Sequence, residues 1–162
     1  MRIIVFSDTH GKTGALFDVV EMHLKSADMF IHLGDGEQEA DMLKSVYPYI
    51  DLRYLRGNCD YNSAAPDILT IEADFGVKIV ATHGHTLGVK YGLEMLIDKA
   101  EQKGAKIALY GHTHQRYSSY ENGLYIMNPG SLSQPRDFYP ASYGIIDITA
   151  KGIVTNIAEY NG

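Results

Sequence analysis

Two short segments, far apart in the chain, each place a pair of possible metal-binding side chains two residues apart. Asp8 and His10 follow one apolar run, and His112 and His114 follow another. Residues i and i+2 of an extended backbone point to the same side, so each pair is expected to present both side chains together. Three further donor residues lie between the pairs: Asp35, Asn58 and His83. Imidazole and carboxylate oxygen in this combination are typical of a site for two metal ions.

The histidines divide by position. Five of the seven fall in glycine-containing loops after predicted strands: His10, His83, His85, His112 and His114. We expect four of these to bind metal, and His85 to contact substrate or support a ligand, with metal binding as its alternative. His23, within a predicted helix, is expected to be structural. His32, within a predicted strand, is expected to be buried or to support a ligand.

The carboxylates allow two interpretations. Asp8 and Asp35 each end a strand and precede a helix, so either could be a helix N-cap. Capping would not explain why histidines converge on the same edge, and we expect Asp35 to bridge two ions. Asn58 could cap a turn or offer its amide oxygen to a metal. Cys59 could be a small packing residue or take part in the chemistry.

Composition limits the class of protein. The 162 residues, 45% of them apolar, predict one domain over residues 1–162 and contain no run long enough to span a membrane. A single cysteine excludes an internal disulfide and fits a reducing compartment, so we expect a cytoplasmic protein with no membrane partner. The net charge of −6 and the lack of a basic cluster argue against a long nucleic acid as partner. A small phosphorylated substrate remains compatible, because bound cations reverse the local field, and the tyrosines make a homo-oligomer plausible.

The elements that position these residues follow from hydrophobic periodicity. The first half alternates strands and helices, which predicts a parallel sheet with its site beyond the carboxyl ends of the strands. The predicted strands are Met1–Phe6, Met29–Leu33 and Asp51–Leu55, and the helices are Thr13–Lys25 and Glu37–Val46. The second half predicts a helix over Tyr91–Lys103, ending before Gly104, among further strands. These strands are Ile68–Glu72, Val77–Thr82, Lys106–Tyr110, Arg116–Glu121, Tyr125–Asn128, Ser142–Ile148 and Ile153–Tyr160.

Together these elements predict an α/β fold: a four-layer α/β/β/α sandwich of two mixed sheets flanked by helices. Two features outside the donor set are open to either interpretation. The turn at Asn128–Ser131 is structural or helps to shape the pocket, and Arg136 is a surface residue or a phosphate contact.

The chain resembles the calcineurin-like metallophosphoesterases, and specifically their small bacterial and archaeal phosphodiesterase branch. Five blocks carry the resemblance, in order: Asp8-Thr9-His10, Gly34-Asp35, Gly57-Asn58-Cys59-Asp60, His83-Gly84-His85 and Gly111-His112-Thr113-His114. The resemblance implies that one ion is held by Asp8, His10, Asp35 and His114. The other is then held by Asp35, Asn58, His83 and His112. The ions are expected to be divalent transition metals, manganese first, with nickel, iron, zinc or cobalt as alternatives.

The resemblance also implies a reaction. A hydroxide bridging the two ions would attack a small phosphate ester, a diester in preference to a monoester. The larger family has His where this chain has Cys59, and that His is thought to protonate the leaving group. Because a thiol is a weak acid at neutral pH, we expect slow hydrolysis of esters with poor leaving groups, unless His85 serves instead. The candidate catalytic residues are His85, Cys59 and Asp60.

A different class of function is the alternative. A eukaryotic retromer subunit resembles these enzymes yet serves mainly as a protein-interaction surface, so this chain could be a metal-binding scaffold with little activity. Its complete set of seven ligands favours the enzyme. A single structural zinc is disfavoured, because seven ligands exceed the four of such sites.

Overall fold

The computed structural model describes all residues, 1–162, as ten strands and three α-helices. The helices are α1 (Thr13–His23), α2 (Glu37–Val46) and α3 (Glu94–Gln102). The strands are β1 (Arg2–Phe6), β2 (Met29–His32), β3 (Leu52–Tyr54), β4 (Ile68–Glu72), β5 (Lys78–Thr82), β6 (Ile107–Leu109), β7 (Arg116–Glu121), β8 (Leu124–Pro129), β9 (Ser142–Thr149) and β10 (Gly152–Glu159). They form two five-stranded sheets, in the orders β10-β9-β1-β2-β3 and β4-β5-β6-β8-β7.

Each sheet contains three parallel strands. β1, β2 and β3 run together in the first sheet, and β5, β6 and β8 run together in the second, whereas the remaining strands pair antiparallel. The carboxyl ends of parallel strands meet at one edge of a sheet. Each sheet therefore gathers three loops at one edge: those after β1, β2 and β3 in the first sheet, and those after β5, β6 and β8 in the second.

Side-chain alternation along the strands creates separate layers of core. Ile3 and Val5 of β1 face Ile79 and Ala81 of β5 in the cluster between the sheets. The intervening residues face outward: Ile4 packs with α1 and α2, and the outer face of the second sheet packs with α3. This period of two places every other residue of a buried strand in a different layer. The predicted four-layer sandwich is confirmed.

The predicted element bounds differ from the structure mainly at helix ends. Helix α3 begins at Glu94, three residues later than predicted, because Tyr91 is almost fully exposed and Gly92 lies where the first turn was expected. Helix α1 ends at His23 rather than Lys25. None of the three helices has the length and apolar character needed to cross a bilayer.

Candidate metal centre

The seven predicted ligands converge where the parallel strands of both sheets end. Asp8 Oδ1 lies 3.2 Å from His114 Nε2, 3.8 Å from His10 Nε2 and 4.0 Å from His83 Nε2. Asp35 Oδ2 lies 3.5 Å from His83 Nε2 and 3.8 Å from His10 Nε2. The first sheet thus supplies the carboxylates and the second sheet most of the imidazoles, and the site exists only where the two sheets meet.

The paired motifs reach this point by a different route from the one predicted. Asp8, His10, His112 and His114 lie in loops beyond β1 and β6, so the alternation of an extended strand does not orient them. Asp8 and His10 do lie together. His114 joins them, with its Nε2 3.2 Å from that of His10, whereas the ring of His112 packs 5.0 Å from that of His83. The extended-strand reasoning behind the two pairs is therefore wrong, whereas the grouping implied by the resemblance, His114 with Asp8 and His10 and His112 with His83, matches these contacts.

Backbone conformation explains this arrangement. Nine non-glycine residues have a positive φ, and five of them are predicted ligands: Asp8, His10, Asp35, His112 and His114. The left-handed region costs an ordinary L residue free energy of roughly 1–3 kcal/mol when the surroundings enforce it. Such backbone geometry clusters at functional sites, and here it turns each donor away from the direction of its strand.

Neither aspartate caps a helix. The N-cap positions of α1 and α2 are Lys12 and Gly36, and neither has a side-chain capping bond. The Asp8 side chain is fully buried. Burial raises its pKa, but His114 and His83 outweigh that effect and hold the pKa of Asp8 below its ordinary value. The pKa of Asp35 is lowered in the same way, because His83 and the backbone N–H of Cys59 overcome the cost of burial. Both groups are therefore carboxylates at neutral pH.

Two histidines have their lone pairs oriented by the backbone. His83 Nδ1 lies 2.8 Å from the carbonyl oxygen of Leu33, and His114 Nδ1 lies 2.8 Å from that of Gln134. A carbonyl can only accept, so each Nδ1 carries a proton and the Nε2 lone pair of the neutral ring faces the site. Backbone carbonyls of this kind commonly orient metal-binding imidazoles.

The atoms that could bind a metal are mostly hydrogen-bond acceptors, and they face one another with too few N–H or O–H groups among them. His83 Nε2 lies 3.1 Å from Asn58 Oδ1 as well as close to Asp35, and the buried Oδ1 of Asp8 has no hydrogen-bond partner. The pKa of His83 is raised, because Asp35 and Asp8 outweigh the opposing effect of burial. Positive charge on this ring is therefore favoured by the surrounding carboxylates. A cation would satisfy the same atoms, and an orphaned buried carboxylate oxygen is otherwise costly. The residues present therefore fit a divalent metal.

Three groups of side chains have donor atoms within 4.8 Å of one another, close enough to hold an ion. They are Asp8 with His10 and His114, Asp8 with Asp35 and His83, and His10 with Asp35 and Cys59. The first two groups share Asp8 and involve both sheets. His112 lies beside the second group, where burial, His83 and Lys90 lower its pKa to about 4, so its ring is neutral and able to donate a lone pair.

A network of hydrogen bonds behind the site was only partly visible in the sequence. The Oγ atoms of Ser131 and Ser133 donate to the Asp8 carbonyl oxygen at 2.7 and 2.9 Å, and Ser7 Oγ donates to Asp8 Oδ2 at 2.6 Å. The Asn128 amide donates to the Gly111 carbonyl oxygen at 3.0 Å. Sequence reasoning placed the turn at Asn128–Ser131 near the site, but it missed Ser7 and Ser133, which no spacing pattern distinguishes from surface serines.

A second network fixes the loop after β1 against helix α2. Thr9 Oγ1 donates to the buried Glu39 carboxylate at 2.9 Å and lies 3.1 Å from His32 Nε2. Burial lowers the pKa of His32 to about 4, so this ring stays neutral and accepts the backbone N–H of Gly34 at Nδ1. His32 thus supports the loops that carry the donors, one of its two expected roles. His23 contacts the Tyr143 hydroxyl at 3.1 Å, which fits its expected structural role.

The three candidate catalytic residues lie beside the donors in different settings. Asp60 accepts backbone N–H groups from Asp35, Gly36, Glu37 and Gly57 at 2.7–3.0 Å, so both of its oxygens hold loops together. Its catalytic role stays a prediction, whereas these contacts give it a positioning role. His85 packs 5.4 Å from the His83 ring, and its buried Nδ1 has no partner. Cys59 is an exposed residue. Partial burial of its sulfur raises the pKa of the thiol to about 11, and the neighbouring Asp35 carboxylate is the second cause of this rise.

Comparison with known proteins gives a consistent assignment. Residues 1–151 match the family model described as the calcineurin-like phosphoesterase superfamily domain. A Bacillus subtilis protein named probable metallophosphoesterase YsnB is 34% identical, over 91% of this chain and 85% of the relative. Phosphodiesterase YfcE of Escherichia coli is 28% identical, over 91% of this chain and 88% of the relative. The crystal structure of a predicted phosphoesterase from Streptococcus pneumoniae superposes with a TM-score of 0.86 at 29% identity, covering 99% of this chain and 93% of that one.

The close approach of two loops predicts a sensitive glycine. A methyl group at Gly57 would overlap the carboxylate and backbone nitrogen of Asp35. We expect Gly57→Ala to displace Asp35 and weaken metal binding about 10- to 100-fold, as measured by calorimetric titration of metal-free protein. Gly14→Ala is the matched control, since nothing lies within 4 Å of the added methyl there. Equal metal affinity of the two variants would contradict the prediction.

The four backbone contacts of Asp60 separate its positioning role from an acid role. In Asp60→Asn an amide NH2 group would face backbone donors, so the free energy of unfolding should fall by about 1–3 kcal/mol. Metal affinity should fall with it, because the loop that carries Asp35 is released. Denaturant unfolding and metal titration measure both quantities. Undiminished stability combined with lost turnover would instead identify Asp60 as an acid or base in the reaction.

The raised pKa of Cys59 predicts the pH dependence of its reactivity. Since the folded-state pKa lies above that of a free thiol, the protonated form dominates at neutral pH and the thiolate appears only as the pH approaches about 11. We expect iodoacetamide to alkylate metal-free folded protein about tenfold more slowly at pH 7 than urea-unfolded protein, allowing for the greater nucleophilicity of a more basic thiolate. Labelling reports this residue alone, because the chain has one cysteine. A rate that levels off near pH 8 would be the opposite result.

Proposed function

We propose that this chain, which belongs to the calcineurin-like phosphoesterase superfamily, is a phosphodiesterase that uses two divalent metal ions. The observation that carries the proposal is the convergence of donors from both sheets around the fully buried carboxylate of Asp8. Asp8, His10, Asp35 and His114 would hold one ion. Asp35, Asn58, His83 and His112 would hold the other, with Asp35 bridging the two. Manganese is the first candidate metal, ahead of nickel, iron, zinc and cobalt.

Bound in this way, the two ions would supply the nucleophile by lowering the pKa of a water shared between them, and would offset the negative charge of the phosphoryl oxygens. The chain's own residues keep the site in shape. Asp8 and Asp35 are ionised and balance part of the cationic charge. Leu33 and Gln134, through their carbonyl oxygens, hold the rings of His83 and His114 in one orientation.

Protonation of the leaving group distinguishes this chain from the larger superfamily. The Cys59 thiol, with a pKa of about 11, is a weaker acid than an imidazolium. His85 is half-buried and lies beside His83 and His112. Burial followed by His83 lowers the pKa of His85, which limits the protonated fraction available at neutral pH. We infer that the enzyme prefers esters whose leaving groups need little help from an acid.

Diesters fit the site better than monoesters for a geometric reason. Two open cavities adjoin the loops that carry the donors: one of about 370 Å³ is lined by His10 and Asp35, and one of about 490 Å³ by Thr113, between His112 and His114. A substrate could extend one ester group toward each. A relative named as a phosphodiesterase is consistent with this preference. We further propose a single domain over residues 1–162 that works in the cytoplasm on small phosphate esters. A homo-oligomer, and the absence of membrane or long nucleic-acid partners, belong to the same proposal.

One observation discriminates between the enzyme and the alternative, a metal-binding scaffold with little activity. A site that no longer serves catalysis tends to lose ligands, whereas this chain keeps all seven predicted ligands and an oxygen of Asp8 without a hydrogen-bond partner. Metal-supported turnover therefore separates the two hypotheses.

The test uses metal-stripped protein with each divalent metal added back. We expect hydrolysis of bis(p-nitrophenyl) phosphate to return with metal and to exceed hydrolysis of p-nitrophenyl phosphate. Asp35→Asn should abolish turnover and lose both ions by elemental analysis, because Asp35 is proposed to bridge them. His23→Gln, which changes a histidine bonded only to Tyr143, should keep both. No turnover with any metal, in protein that still binds two ions, would favour the scaffold.

A further inference from the structure

Two cavities that adjoin the loops carrying the donors have linings of opposite charge. The cavity of about 370 Å³ lies along the loops of the first sheet, and no Lys or Arg lines it. It is lined instead by four carboxylates: Asp35, Glu37, Glu39 and Asp60. The cavity of about 490 Å³ lies along the loops of the second sheet, and no Asp or Glu lines it. Three cationic side chains line it: Lys90, Arg116 and Arg136.

Two of these three cations have no carboxylate partner. Arg116 pairs with Asp137 and Glu159, so its charge is largely offset. Arg136 is the one arginine of the five in the chain that takes part in no ion pair, and Lys90 also takes part in none. The second cavity therefore holds uncompensated positive charge within a protein whose net charge is −6.

Both free cations are tied to the loops that carry predicted ligands. The Arg136 backbone N–H donates to the His114 carbonyl oxygen at 2.9 Å. Val89, next to Lys90, donates its backbone N–H to Gly84 in the loop of His83. The backbone from which each of these two side chains extends is thus held against a loop that carries predicted ligands.

The rest of the lining suits the body of a small molecule. The rings of Tyr110 and Tyr117 pack at a centroid distance of 6.3 Å and form an aromatic wall. Thr113, between two predicted ligands, and the exposed Gln115 add polar groups. A volume of about 490 Å³ lies within the range of small-molecule sites, roughly 300–1,000 Å³.

We propose that the second cavity binds an additional anionic group of the substrate, so that the enzyme favours phosphodiesters that carry a second phosphate or a carboxylate. This inference rests on the proposed function, since it concerns the ester arm on one side of the metal centre. Lys90 and Arg136 receive the second anion. The first cavity offers the anion no cationic side chain, which orients the substrate. The arm bearing the extra charge lies over the second sheet, and the uncharged arm lies over helix α2.

A pair of chromogenic substrates tests the proposal directly. The p-nitrophenyl ester of thymidine 5′-monophosphate and its 3′-phosphorylated form share the scissile bond, the leaving group and the nucleoside, and differ by one phosphate. With two partly exposed cations contributing, we expect kcat/KM to favour the bisphosphate by about 5- to 30-fold at low salt, mainly through KM. The preference should shrink as ionic strength rises, because exposed charges are screened within about 10 Å at 0.1 M salt.

Variants assign the preference to this cavity. In the double variant Lys90→Gln/Arg136→Gln we expect the ratio of the two kcat/KM values to fall to near one. Lys25→Gln/Lys151→Gln is the matched control, since it removes the same net charge from exposed positions that line neither cavity, and it should keep the wild-type ratio. A ratio near one in the wild type, or an unchanged ratio in the Lys90/Arg136 variant, would overturn the inference.

A binding measurement keeps this test separate from the proposed function. Calorimetric titration of the metal-loaded protein compares thymidine 3′,5′-bisphosphate with thymidine 5′-monophosphate without any turnover. Tighter binding of the bisphosphate, lost in the Lys90/Arg136 variant, supports the anion subsite even if neither ester is hydrolysed, in which case the proposed reaction alone fails. Equal binding of the two nucleotides contradicts the subsite, whatever the activity. A third ligand, thymidine with a 3′-carboxymethyl group and a 5′-phosphate, distinguishes a preference for carboxylate from one for phosphate.

Discussion

The site depends on the buried carboxylate of Asp8, because this one group contacts residues from the loops of both sheets. Its two oxygens face histidines of three loops, the Ser7 hydroxyl and the backbone N–H of His112, while its carbonyl oxygen accepts two serine hydroxyls from the loop after β8. A buried charge is tolerated only when opposite charges or hydrogen bonds surround it. The hydrogen bonds and charges that stabilise Asp8 therefore also hold the surrounding loops in place. Its Oδ1 atom still lacks a hydrogen-bond partner.

The fold could be predicted from the sequence because its signals are local and repeated. Alternation of apolar residues identified most strands within one or two residues, and the order of strands and helices implied parallel triads whose ends meet at one edge. Because the candidate donor residues follow the carboxyl ends of those strands, their location at this edge could be predicted as well. What residue spacing did not reveal was orientation: Asp8 and His112 turn through left-handed backbone that depends on tertiary contacts rather than on residue type. Only the family resemblance grouped His114 with Asp8 and His112 with His83, and these turns bring those residues together.

The supporting contacts were the least predictable part of the site, and they share a chemical feature. Most of them join a side chain to a backbone group, as when Ser133 donates to the Asp8 carbonyl oxygen or Asp60 accepts from the N–H of Glu37. Backbone groups are present at every residue, so such contacts leave no pattern of residue types in the sequence. Asp60 illustrates the ambiguity: a carboxylate beside a metal-binding motif suggested chemistry, and the structure shows it joining two loops.

The position of β1 in its sheet has a consequence for how the protein is made. Strand β1 lies between β2 and β9, and Asp8 bonds to serines more than 120 residues further along the chain. Contacts of such large sequence separation close late in folding, because the entropy of the long intervening loop must be overcome first. Asp8, the first of the seven donors to be synthesised, therefore gains its serine partners only after β8 has been made, and β1 gains its second neighbour only with β9. A nascent chain released before β9 would carry all seven donors, yet β1, which leads into Asp8, would lack one of its two neighbouring strands.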